Sequence, residues 1–168
     1  MDDAIDLELA ARVGDALRER GATLGVAESC TGGLVGAAVT AVPGSSDYFE
    51  CGVTAYAYGP KRRLLGVSRE ALDAHGAVSA PVAREMARGV RDRADVTWGL
   101  ATTGVAGPGG GTEDDPVGTV YVGVAHAAPW GSGASTATAS RYEFDGDRAA
   151  VRAKTVDRAL TELLEAIG

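Results

Sequence analysis

Lysine is nearly missing from this chain: of 16 basic residues only Lys61 and Lys154 are lysines, and the others are arginines. Cysteine is almost as scarce, with Cys30 and Cys51 alone, and so is histidine, with His75 and His126. The two cysteines lack metal-ligand spacing and the two histidines are far apart in sequence. Neither a disulfide framework nor a metal site is therefore expected, and no cofactor is implied. Long hydrophobic runs are missing too, since nothing approaches the roughly 20 apolar residues that cross a bilayer. The opening MDDAIDLELA is acidic and amphipathic, the opposite of a signal peptide, so a cytoplasmic protein without a membrane partner is expected. An excess of positive charge is absent as well. Asp and Glu total 23 and the formal net charge is −7, which argues against a nucleic-acid partner. An acidic, lysine-poor, Ala- and Gly-rich composition suits a halophilic setting, where surface charge maintains solubility under strong screening.

What is present suffices for one compact domain over 1–168: the 168 residues are 45% apolar. Ile5, Leu9, Val13 and Leu17 recur at helical spacing, with Gly21 placed to end that helix. Thr23–Ala27 reads as a buried strand, and Leu34–Val42 as a helix stopped by Pro43-Gly44. Phe49–Tyr58, rich in aromatic and β-branched residues, reads as a strand. Ser79 and Pro81 start a helix that presents Val82, Met86 and Val90 on one face. Val96–Thr103, Val117–Ala125 and Thr136–Phe144 read as strands. Asp147 caps a closing helix whose buried side carries Val156, Leu160, Leu163, Leu164 and Ile167. This imperfect alternation predicts a single three-layer α/β/α domain with a mixed β-sheet.

Three segments could carry chemistry. In Ala27-Glu28-Ser29-Cys30-Thr31-Gly32-Gly33, a strand runs into hydroxyl residues and glycines at a helix start, where backbone N–H groups and the helix dipole suit an anion. The plainer reading is that Ser29 or Thr31 only caps the helix. The segment also lacks the G-K-[ST] ending of a P-loop. In the second segment, Gly44-Ser45-Ser46 is followed by Tyr56 and Lys61. A serine needs a neighbour to take its proton, and a lysine can do so if burial lowers its pKa. Lys61 stands out beside Arg62 and Arg63, because arginine cannot serve as a base. Against this, the two serines could simply form a turn. The third segment, Thr102-Thr103-Gly104 with its glycine-rich tail to Gly111, can present N–H groups to an oxyanion or phosphate, or be a surface loop. Arg141 could clamp a phosphate, with Arg148 close by in sequence. Cys30, near a predicted helix start, is a candidate thiol nucleophile or a small buried residue.

Taken in order, AESCTGG (27–33), PGSSDYFECGVTAY (43–56), Lys61, GVS (66–68), HGAVS (75–79), TGVAGPGGG (103–111), PVGTVYVGVA (116–125) and FDGDR (144–148) resemble the CinA C-terminal domain family over nearly the whole chain. The resemblance implies a stand-alone amidohydrolase that converts nicotinamide mononucleotide to nicotinic acid mononucleotide and ammonia in pyridine-nucleotide salvage. It implies a Ser/Lys dyad with Lys61 as base. The nucleophile is assigned to Ser46, with Ser29 as rival and Tyr56 beside the dyad. Ser29, Thr31, Gly32, Gly33, Thr103, Gly104 and Arg141 are the expected substrate-binding residues. The family's Tyr-Ser-Asn before the lysine is replaced here by Tyr56-Ala57-Tyr58. A small-molecule substrate and a homo-oligomeric state complete the expectations. The alternatives are a non-catalytic nucleotide-binding module and a thiol amidohydrolase using Cys30.

Overall fold

The computed structural model describes residues 5–168. Helix α1 (Leu7–Glu19) starts at Asp6, whose carboxylate accepts from Leu9 N–H, and buries Leu9, Val13 and Leu17. Strand β1 (Leu24–Glu28) follows, then α2 (Leu34–Thr40), a single 3-10 turn at Ser45–Asp47, and β2 (Phe49–Thr54). Three helices come next: α3 (Tyr58–Leu65), α4 (Arg69–His75) and α5 (Ala80–Arg93). Strands β3 (Trp98–Gly104), β4 (Thr119–His126) and β5 (Thr136–Glu143) lead into α6 (Arg148–Ile167). As expected, Ser79 and Asp147 cap α5 and α6, accepting from Val82 N–H and Ala150 N–H. No described helix is long and apolar enough to cross a membrane.

The sheet is mixed, in the order β2-β1-β3-β4-β5. Strands β2, β1 and β3 are parallel, while β4 and β5 add antiparallel edges. Side-chain alternation divides the sheet into two unlike faces. Leu24, Val26, Trp98, Leu100, Val122 and Val124 meet α1, α2 and α6 in the larger core. The intervening residues are Gly25, Ala27, Gly99, Ala101, Gly123 and Ala125, all small. Against that face α5 packs so closely that a methyl at Gly99 or Gly123 would strike the backbone carbonyl of Ala87 or Ala83. A three-layer α/β/α architecture results.

Two features depart from the sequence reading. The strand expected over 49–58 stops at Thr54, because Tyr58–Leu65 is helical, with Pro60 in its first turn and Gly66 (φ 68°) ending it. Helix α4, capped by the Ser68 hydroxyl, was not anticipated either.

This topology positions the site. After β1 the chain leaves through α2 on one face, and after β2 it returns through α3–α5 on the other before entering β3. The carboxyl ends of β1 and β3 therefore lie at a topological switch point, where such sheets bind ligands.

Candidate active site

Ser29 is the first residue beyond β1, and its N–H still donates to Thr102 O at 2.9 Å, extending the ladder with β3. The chain then turns sharply: Gly32 N–H donates back to Ser29 O at 3.0 Å. Gly32 (φ 59°) and Gly33 (φ 102°) take left-handed conformations that other residues rarely adopt. Glu28 locks the turn from inside. Its carboxylate, only 2% exposed, accepts from Val35 N–H at 2.8 Å, Gly36 N–H at 3.0 Å and the Thr31 hydroxyl at 2.6 Å. A buried charge is tolerable when it is fully hydrogen-bonded and sits at a helix N-terminus. Thr31 also reaches the Thr102 hydroxyl at 2.7 Å.

Lys61 approaches from the opposite layer. It lies on the inward side of α3 with Leu65, and it is 1% exposed. Its Nζ is 2.8 Å from Ser29 Oγ and 2.8 Å from Ala55 O. Ala55 is itself fixed, because its N–H donates to Glu28 O at 2.9 Å. No carboxylate pairs with the Lys61 amine among the described residues. Burial lowers its pKa from 10.5 to about 8, with the Cys30 thiol acting weakly the other way. Nζ donates to both Ser29 Oγ and Ala55 O; once deprotonated, it can keep one N–H on Ala55 O while its lone pair accepts the Ser29 hydroxyl proton.

Several expected residues lie elsewhere. Ser46 is exposed in the 3-10 turn that precedes β2, whereas Lys61 follows the far end of that strand. Six residues of β2, rising about 3.3 Å each, separate the two ends. In the structure Lys61 therefore meets Ser29, not the expected Ser46. The helix start at Gly32-Gly33 is not open to a ligand anion, because Glu28 already occupies the Val35 and Gly36 N–H groups. Arg141 is held by Glu143 at 3.2 Å, by Asp115 at 3.9 Å and by Asp114 O at 3.2 Å. Its charge is thus matched by two carboxylates on the β5 side. Thr103 donates its hydroxyl to Ala77 O at 2.8 Å, and Gly104 packs against Thr119 and Val120. Both support the end of β3.

Tyr56 leads to a feature the sequence reading only touched. Its hydroxyl accepts from Arg148 at 2.9 Å, and the same guanidinium donates to Gly107 O at 2.8 Å. Arg148 thereby joins the loop before α3 to the glycine-rich loop after β3. Arg148 and Arg152 line an open cleft of about 510 Å³ together with Ala106, Pro108 and Val117. Arg152, which sequence reasoning missed, donates to Cys30 O at 3.2 Å and Thr31 O at 3.0 Å. Its four-residue spacing from Arg148 within a capped helix was the available signal. Cys30 is buried, and desolvation pushes its thiol up to about 12, opposite to what a thiolate nucleophile needs.

Comparison with known proteins bears on the whole chain. The family model described as the CinA C-terminal domain matches residues 6–167. A CinA-like protein of Chlorobaculum tepidum is 50% identical over 148 residues, covering 88% of this chain and 34% of that protein. One from Salinibacter ruber is 49% identical over 164 residues, covering 96% of this chain and 38% of that protein. The chain thus spans about a third of the length of the curated relatives it matches. Among solved structures, the competence/damage inducible protein of Agrobacterium tumefaciens superposes with a TM-score of 0.87 at 36% identity, covering 96% of this chain and 94% of that one. A competence-damaged protein (CinA) superfamily member from Escherichia coli gives 0.88 at 34% identity, covering 98% and 91%.

Proposed function

The chain belongs to the CinA C-terminal domain family, and on that premise we propose that it hydrolyses the carboxamide of nicotinamide mononucleotide. The products are nicotinic acid mononucleotide and ammonia, a step of pyridine-nucleotide salvage. The observation that carries this reading is the 2.8 Å contact between Ser29 Oγ and a buried lysine with no carboxylate partner among the described residues. In this assignment the nucleophile is Ser29, and Ser46 has no part in the chemistry.

Neutral Lys61 takes the Ser29 proton as Oγ attacks the carboxamide carbon. The C=O electrons move to oxygen, which is received by a backbone N–H of the turn after Ser29. Lys61 returns the proton to the amide nitrogen, the C–N bond breaks and ammonia leaves. A water, deprotonated in turn by Lys61, then cleaves the ester and restores Ser29. The positive pyridinium of the substrate favours attack and helps to keep Lys61 neutral. For the ribose phosphate, Arg148 at the cleft replaces both Arg141 and the α2 start, with Tyr56 beside it at the mouth. The raised thiol of Cys30 counts against the thiol-enzyme reading.

The test is incubation of purified protein with nicotinamide mononucleotide, following ammonia and the acid product together. Equimolar release of both is expected. Tight binding of the mononucleotide without ammonia would mark a binding module and overturn the reading.

A further inference from the structure

We propose that Arg152 is a positioning residue that aims the backbone N–H of Thr31 at the developing oxyanion; this rests on the serine-hydrolase reading above. Within the turn 29–33, Ser29 O is held by Gly32 N–H and Thr31 O by Leu34 N–H, whereas Cys30 O has no backbone donor of its own. Arg152 supplies one from α6. Its Nε donates to Cys30 O at 3.2 Å, and its terminal nitrogen donates to Thr31 O at 3.0 Å. In a trans peptide the carbonyl and the N–H point opposite ways. Drawing Cys30 O towards α6 therefore turns Thr31 N–H away from α6, towards the layer from which Lys61 reaches Ser29. Drawing Thr31 O the same way turns Gly32 N–H onto Ser29 O, the 3.0 Å bond that in turn orients Cys30 N–H. One guanidinium thus orients three successive peptides. Among the described residues neither Cys30 N–H nor Thr31 N–H donates to another residue; the Cys30 N–H faces its own thiol, and the Thr31 N–H remains for a ligand oxygen.

The guanidinium's rigid planar fork holds two neighbouring carbonyls in a fixed geometry that the flexible lysine ammonium does not impose, so lysine is a poor substitute. Arg152 also borders the cleft that Arg148 lines, which places this hold beside the proposed phosphate position. Among the described residues it has no ion-pair partner, and its side chain donates only to the turn.

The experiment compares wild type, Arg152→Ala and Arg152→Lys by two readouts. One is kcat and KM for nicotinamide mononucleotide. The other is the rate at which a fluorophosphonate labels Ser29, forming the Oγ–P bond and expelling fluoride as Lys61 takes the proton. The phosphonyl oxygen probes the same N–H without requiring amidase activity. Loss of one oxyanion donor costs about 10²–10³-fold, so loss of its orientation should cost roughly 10–10²-fold in kcat and in labelling rate. KM should change less than about threefold, and the apparent pKa of the pH profile should stay put. Added guanidinium ion should restore part of both rates in Arg152→Ala, with Arg152→Lys intermediate. Unchanged rates in Arg152→Ala, or losses that guanidinium does not restore, overturn the proposal. If wild type is labelled at Ser29 but releases no ammonia, the substrate assignment fails and the labelling rates still decide the role of Arg152.

Discussion

The pH dependence of turnover should report Lys61 directly. An ordinary lysine at 10.5 would be neutral in roughly one molecule in 3,000 at pH 7, whereas at about 8 roughly one in ten is neutral. Burial thus raises the competent fraction by about 300-fold. The base must be deprotonated, so kcat/KM should climb about tenfold per pH unit below pH 7 and level off above about 8. With the pyridinium bound, the kcat profile should break at lower pH than kcat/KM. Lys61→Arg keeps a cation but cannot accept a proton, so it should fall to background at every pH. The same shift should appear in stability. The folded state binds fewer protons than the unfolded state only between about 8 and 10.5, so the cost of burying charged Lys61 fades as pH rises through that window. Relative to wild type, Lys61→Met should lose about 3 kcal/mol of its advantage between pH 7 and 11, read from paired denaturation curves. A flat rate profile from pH 6 to 8, or active Lys61→Arg, would refute the assignment.

Ser46→Ala should leave kcat and KM within about twofold of wild type, because surface positions far from the chemistry seldom matter; a loss beyond tenfold would return Ser46 to the mechanism. Arg148→Ala should reduce the preference for nicotinamide mononucleotide over nicotinamide riboside by about tenfold or more, whereas Arg141→Ala should not change it. Comparing kcat/KM for both substrates in both variants checks this, and the reverse pattern would restore Arg141. Iodoacetamide should react slowly with Cys30, whose thiol burial pushes up to about 12, and Cys30→Ala should stay fully active. Inactive Cys30→Ala with an intact fold would revive a thiol mechanism.

The layered α/β/α architecture was legible because strands and capped helices carry strong local signals. Ser79 and Asp147 cap α5 and α6 as read, and most element bounds differ by only one to three residues. Helix α3 was not legible, since Tyr58 extends an aromatic, β-branched run that reads as strand, while Pro60 and Gly66 are helix signals only once that strand has ended. That error hid the site. A strand through Tyr58 gives no reason for Lys61 to turn back on β1, and Ser46 then appears the nearer serine in sequence. The choice between Ser29 and Ser46 depends on which end of β2 each occupies, and this is a property of parallel pairing with β1. Glu28 illustrates the same limit. Its carboxylate fills the α2 start that seemed open to phosphate, and sequence spacing does not show which way a side chain folds. Glu143, two residues on in the same strand, was legible as a partner of Arg141, whereas Asp115 is brought to it by the loop before β4 and the β4–β5 pairing.

The most direct measurement is ammonia release from nicotinamide mononucleotide by Ser29→Ala alongside wild type, with mononucleotide binding measured for both. Wild type should release ammonia and acid product in equal amounts. The variant should bind the mononucleotide with similar affinity while its turnover falls by about 10³-fold or more, as loss of a nucleophile requires. Turnover in Ser29→Ala within tenfold of wild type would contradict the Ser29–Lys61 mechanism.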